Sequence, residues 1–244
     1  MPSATWRGTI GLIKPTYESG SLVEFIKLLP EGIGVIPLYM GLQEHTEREY
    51  LNALEVNRKR VEELANLGVD LIFPGGAPPF LIRGYRAEQD IVKSWEDKYN
   101  VPIVTPTMTQ TAAFRALGME KFFGLTFQTE QRLNDMFTTY FRDAGFDVAA
   151  MESMPLTRAQ RKNVSTEEMY LHIKRFFLKY PSVDGIYLQG SGPGTWRVKD
   201  VVRLEEDLGI PVVHPTAARV WSVQKRLHVR APIQGASRLL ELMP

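Results

Sequence analysis

No cysteine occurs among the 244 residues. Its absence excludes disulfides, thiolate metal ligands and a cysteine nucleophile at once. Excess charge is also lacking: 29 Lys and Arg face 28 Asp and Glu, leaving a formal net charge of +1. A near-neutral chain without a basic run has no electrostatic footprint for nucleic acid or an anionic membrane surface. Apolar stretches are broken by Gly, Pro or charge well short of the roughly 20 residues of a membrane span. The opening Met-Pro-Ser-Ala-Thr-Trp-Arg-Gly lacks a basic start leading into an apolar run. No secretory signal is read there, and the expected location is the cytoplasm. His45, His172 and His228 form no H-x-x-x-H or H-E-x-x-H spacing, and the glycines make neither G-x-G-x-x-G after a strand nor a Walker loop. The expectation is therefore no metal and no cofactor.

What the chain does contain is ordinary globular material, 44% hydrophobic and 23% charged. Its length suits one large domain or two small lobes. Short apolar runs alternate with longer amphipathic ones. Strands are expected at Ile10–Lys14, Gly34–Tyr39, Asp70–Phe73, Ile103–Val104, Phe122–Thr126, Asp147–Met151, Gly185–Leu188 and Val212–Val213. Helices are expected at His45–Leu67, Tyr85–Lys98, Glu130–Asp143, Thr166–Tyr180 and Val198–Leu208. Such alternation predicts an α/β fold with parallel sheets covered on both faces.

The chain also resembles itself. Val69-Asp70-Leu71-Ile72-Phe73-Pro74-Gly75-Gly76 lies over Val183-Asp184-Gly185-Ile186-Tyr187-Leu188-Gln189-Gly190. Val101-Pro102-Ile103-Val104-Thr105-Pro106-Thr107 lies over Ile210-Pro211-Val212-Val213-His214-Pro215-Thr216, and Gly11-Leu12 over Gly124-Leu125. Two related halves joined near Met108–Ala113 follow, with residues 1–110 plus 218–244 as the first lobe and 111–217 as the second. In parallel α/β sheets ligands bind beyond the carboxyl ends of strands. Those ends carry small, hydroxylic and amide residues: Thr16, Gly75, Gly76, Ala77, Thr126, Gln128, Gln189, Gly190, Ser191 and Gly192. If the halves face each other, these segments converge on one pseudo-symmetric cleft. Backbone N–H groups and hydroxyls there suit a small carboxylate substrate. Assembly into a homo-oligomer is compatible with this reading.

Several motifs resemble a known family. Trp6-Arg7-Gly8-Thr9-Ile10-Gly11-Leu12-Ile13 with Pro15, then Leu29-Pro30-Glu31-Gly32, is similar to the opening of maleate cis-trans isomerases. Arg83-Gly84, Ala116-Leu117-Gly118, Asp184-Gly185-Ile186 and Leu208-Gly209-Ile210-Pro211-Val212-Val213 with Trp221 resemble both those isomerases and arylmalonate decarboxylase. Both belong to the aspartate/glutamate racemase superfamily, and the resemblance covers residues 6–225. It implies two Rossmann-like lobes with the active site in the cleft between them. Members of the superfamily place a cysteine after a strand in one or both lobes. The matching positions here are Gly76 and Gly190, the pair that self-similarity also selects. Two-thiol racemisation and thiolate addition to an alkene are thereby excluded, while a cradle for carboxylate remains.

Three strand-end residues are candidates to replace the thiols. Glu18 matches a position where maleate isomerases carry a functional Asn; a partly buried Glu serves as acid or base, or the residue is a helix-start carboxylate. His214 either titrates near neutral pH or braces the turn before Pro215. Tyr17 either donates a proton or covers the substrate as a rim aromatic. Ser191 fails the G-x-S-x-G pattern, since Gln189 precedes it by two, and fits better as a carboxylate donor than as a nucleophile. The expected activity is cofactor-independent acid/base chemistry on a small carboxylic acid, of decarboxylase, isomerase or lyase type. A hydrolase activating water with Glu18 or His214, and a non-catalytic carboxylate binder, are the competing readings.

Overall fold

The computed structural model describes residues 4–17, 20–43, 47–128, 130–154, 156, 160, 163–190 and 196–242. Strand β1 (Gly8–Lys14) lies between β2 (Ile33–Tyr39) and β3 (Leu71–Phe73), all parallel. A parallel bridge between Ile72 and Ile103 extends this sheet, where a two-residue strand was expected. In the second sheet β4 (Lys121–Thr126) lies between β5 (Asp147–Ser153) and β6 (Gly185–Leu188), and β7 (Val212–Val213) pairs with β6. The two sheets have one topology. Helices α1 (Gly20–Leu28), α2 (Glu47–Asn66), α3 (Pro78–Leu81), α4 (Tyr85–Tyr99) and α5 (Pro106–Ala116) accompany the first. The second has α6 (Gln131–Asp143), α7 (Thr166–Lys179), α8 (Val198–Leu208), α9 (Pro215–Arg226) and α10 (Arg238–Glu241).

The internal matches have physical causes. The Asp of each Val-Asp pair ties the strand it precedes to the central strand of its sheet. Thr9 N–H donates to Asp70 Oδ2 at 2.7 Å, and Lys121 N–H to Asp184 Oδ2 at 2.7 Å. A glutamate near the end of each preceding helix holds the last strand position: Ile103 N–H donates to Glu96 Oε1 at 2.8 Å, and Val212 N–H to Glu205 Oε1 at 2.9 Å. The Gly11/Gly124 match is a coincidence, one residue out of register. Ile10 pairs with Leu71 while Phe122 pairs with Gly185, so the partner of Gly124 is Leu12. A Cβ on Gly11 would strike Leu64 of α2, whereas one on Gly124 would strike Met151 and Tyr187.

Side-chain alternation sorts the core into layers. Ile10, Leu12, Phe73, Phe122, Tyr187 and Val213 share one cluster between the sheets, to which both lobes contribute. Ile13 and Ile72 face a cluster under α2 and α4, while Phe123 and Leu125 face one under α7 and α8. Helices α5 and α9 pack on each other, and α9 also packs on α1. Each starts with Pro at its first turn after a side-chain cap, Thr105 or His214. Neither helix was expected, because burial on nearly every side removes the amphipathic stripe that marks a surface helix. The join expected near Met108–Ala113 is therefore the body of α5, and the lobe limits at 110/111 and 217/218 both fall inside helices. No helix among the described residues is long and apolar enough to cross a membrane.

Candidate functional site at the strand ends

The first lobe brings three chain segments to its carboxyl edge. Ile10, Leu12 and Lys14 form one inward row of β1, and the row passes from core aliphatics to a buried ammonium. Lys14 Nζ donates to Ser21 Oγ in the first turn of α1 at 2.7 Å. The equivalent position of β4 is Thr126, whose buried hydroxyl donates to Asn134 Oδ1 of α6 at 2.5 Å. Each lobe thus ties the end of its central strand to the following helix, with charge in the first and neutrality in the second.

Gly75 was expected to offer its backbone to a substrate. Instead, its N–H donates to Asn57 Oδ1 at 2.7 Å and its C=O accepts from Asn57 Nδ2 at 3.0 Å, with Asn57 fully buried in α2. Its polar groups are spent on bracing the loop. The N–H groups of Gly76 and Ala77, by contrast, meet no acceptor among the described residues. Gly76 has φ 78° and its counterpart Gly190 φ 97°, a region that favours glycine in both. The repeat therefore extends to backbone conformation at the two positions without a side chain. Thr16 is half-buried, and Tyr17 stands 69% exposed on the rim. Its ring lies 5.4 Å from that of Tyr39, with the hydroxyl over Gly41.

In the second lobe Thr126 Oγ1 also accepts from Gln128 N–H at 3.3 Å, so the hydroxyl is engaged on both sides and has no exposed surface. Gln128 is half-buried, and its C=O accepts from Ser153 Oγ. Gln189 bonds through its N–H to Leu125 O at 2.8 Å and through its C=O to Trp196 Nε1 at 3.2 Å. Trp196 stacks on Phe127 at 5.1 Å. Glu18, Ser191 and Gly192 lie outside the described residues.

His214 departs most from expectation. Its ring is fully buried; Nδ1 accepts from Thr216 N–H at 3.1 Å, capping α9, and Nε2 lies 3.1 Å from Trp196 O. An Nδ1 that accepts leaves the proton on Nε2, which donates to that carbonyl. Burial first, and then the Arg219 guanidinium, pull its pKa down to about 4. The ring is neutral near pH 7 and presents no surface to a substrate, so the bracing alternative describes it. Its equivalent, Thr105, caps α5 by accepting from Met108 N–H at 3.1 Å.

Buried charge accounts for the residues that sequence reasoning missed. Glu88 of α4 has no exposed surface and accepts from Thr107 Oγ1 and from Tyr140 Oη of the other lobe. Burial raises its pKa and that of Tyr140. Glu24 of α1 reaches the second lobe, accepting from Val198 N–H at 2.9 Å, and burial raises it too. Beside it a cavity of about 690 Å³ runs from Gly20 and Ser21 to Tyr170, Trp196 and Arg197. Only Lys14 carried a signal in the sequence: a cation in phase with inward aliphatics of a strand. Among the described residues no group of His, Asp and Glu is arranged to hold a metal.

Two α/β lobes of one topology, with small residues at matched strand ends, define a two-lobed α/β protein with its candidate site at the carboxyl edges. The arylmalonate decarboxylase family profile matches residues 10–240, and the chain belongs to that family. Its fold is shared with maleate isomerase Iso from Pseudomonas putida S16, at 17% identity and a TM-score of 0.84, over 96% of this chain and 98% of that one. Arylmalonate decarboxylase gives 20% identity and 0.79 over 96% and 99%. A liganded variant of that enzyme, with one glycine changed to cysteine and one cysteine to serine, gives 21% and 0.83 over 95% and 98%. No curated protein matches the sequence significantly.

Proposed function

We propose that the protein is a cofactor-independent enzyme of decarboxylase or isomerase type, acting on a small carboxylic acid by acid/base chemistry without a thiol. The observation that carries this reading is the matched glycine pair: in a member of this family, Gly76 and Gly190 occupy equivalent strand ends in a conformation that favours glycine. The amides of Gly76 and Ala77, with Gly190, Ser191 and Gly192 from the other lobe, would donate to an enolate-like oxyanion as charge develops there. Glu18 exchanges the proton, and Tyr17 covers the substrate from the rim or supplies a proton. Thr16, Gln128 and Gln189 line the carboxylate's surroundings, while Gly75, Thr126 and His214 hold the loops in place. The test is mass change on phenylmalonate and maleate, followed in single turnovers. Glu18→Gln should slow the chemical step by on the order of 10²-fold with binding retained. Binding of both acids with no turnover would instead favour a carboxylate-binding protein, and water addition across an ester or lactone would favour a hydrolase.

A further inference from the structure

The cavity beside Glu24 is built from both lobes. Gly20, Ser21 and Glu24 of α1 form one side, and α7 and α8 with the end of β6 form the other. None of the described residues assigned above to the substrate borders it. The two regions share only a wall: Trp196 lines the cavity, and its Nε1 donates to Gln189 O at 3.2 Å, one residue before Gly190. At about 690 Å³ the space falls in the range of small-molecule sites.

Its floor is apolar and its mouth is cationic. Met169 and Ile173 of α7, Leu188 of β6, Trp196, and Val201 and Leu204 of α8 line it and are all buried. Three further lining residues, Arg197, Lys199 and Arg203, are exposed and mark the mouth. Arg197 is committed, with its guanidinium 3.0 Å from Asp200 and 2.6 Å from Thr166 Oγ1. Lys199 and Arg203 stand four residues apart on one face of α8, and neither has an acidic partner among the described residues. Like charges at that spacing repel. Among the lining acids, Asp200 is taken by Arg197 and Glu24 by Val198 N–H at 2.9 Å, which leaves Glu167 against two cations. Helices α1, α7 and α8 all start at this wall, so their positive ends add to the excess.

We propose that this cavity is an accessory binding site for an amphipathic carboxylate, with an apolar chain against Met169, Ile173 and Leu204 and its carboxylate at Lys199 and Arg203. The site is distinct from that of the proposed reaction and does not rest on it.

The experiment titrates the whole protein with octanoate, butanoate and the neutral octanamide by calorimetry, at low and moderate salt. Octanoate should bind at least about 5-fold tighter than octanamide, with the advantage shrinking as salt rises. It should also bind at least about 30-fold tighter than butanoate, which lacks four methylenes for the floor. Lys199→Glu and Arg203→Glu, both at exposed positions, should each abolish the preference for the acid and leave octanamide affinity in place. Lys59→Glu, an equal change of charge on α2, should alter nothing. In spectra of the protein labelled with methyl-¹³C methionine, the resonance missing from Met169→Leu should shift with octanoate, and should still do so in excess maleate. A wild type that does not bind octanoate, or binds it no better than octanamide or butanoate, would overturn the proposal. So would a stationary Met169 signal, displacement by maleate, or equal weakening by Lys59→Glu.

Discussion

Acidification from about pH 7.5 to about 4.5 should destabilise the folded protein through His214. In the unfolded chain this imidazole titrates near the ordinary histidine value of 6.5, whereas burial pulls it down to about 4 in the fold. Between these values the unfolded chain binds a proton that the native ring refuses, so its contribution is fully present above pH 6.5 and lost as pH falls towards 4. Over the stated interval the loss amounts to about 2.5 kcal/mol. Glu24, Glu88 and Glu205, whose pKa values are raised by burial, act with the opposite sign and gain stability as pH falls. The comparison must therefore be a difference. His214→Asn keeps an oxygen to cap α9 and forfeits the bond to Trp196 O, a pH-independent cost of about 1 kcal/mol. Urea denaturation at a series of pH values should show wild type approaching and then falling below the variant as pH drops. Parallel curves for the two proteins would refute the claim that the fold holds this histidine neutral.

Four further outcomes are expected. Glu88→Ala should cost about 2–3 kcal/mol in urea denaturation, because Thr107 and Tyr140 lose their buried acceptor, whereas Glu88→Gln should cost less than half of that. Asn57→Ala strips both polar groups of Gly75 and should lower stability by about 3 kcal/mol, together with turnover, as the strand-end loop loosens. Gly76→Ala should cost about 1–2 kcal/mol at φ 78°, with Pro79 Cδ only 3.3 Å from the added carbon. Iodoacetamide under thiol-selective conditions should leave activity intact, as the chain has no cysteine.

Most strands and surface helices were legible because their burial repeats every two or about 3.6 residues. β6, α8 and β7 fall at the expected residues, and the other strands and helices read from the sequence differ at their ends by one or two, apart from the bridge at Ile103. What escaped was whatever lacks a periodic contrast. Helices α5 and α9 are buried nearly all round, and Pro106 and Pro215 read as turn residues where they are helix starts. The glycine coincidence at 11 and 124 misled because a one-residue slip turns a strand position to the opposite face. At the site, the pairing of Gly76 with Gly190 was visible as a repeated string, but the commitments of single polar atoms were not. His214, Gly75 and Thr126 look like free functional groups in a linear chain. In the folded chain their hydrogen bonds are already taken by Thr216 and Trp196, by Asn57, and by Asn134 and Gln128.

The shared aromatic and aliphatic layer between the sheets bears on how such a molecule can be taken apart. Phe114 of α5 sits 4.6 Å from Phe122 of β4 and 5.7 Å from Tyr187 of β6, so the helix that closes the first repeat furnishes the inner wall of the second. A gene cut at the repeat boundary would deliver two polypeptides, each with half of this layer bare to water. Neither repeat is a portable cassette: exchanging one for the corresponding half of a relative would require both sides of that seam to be redesigned together.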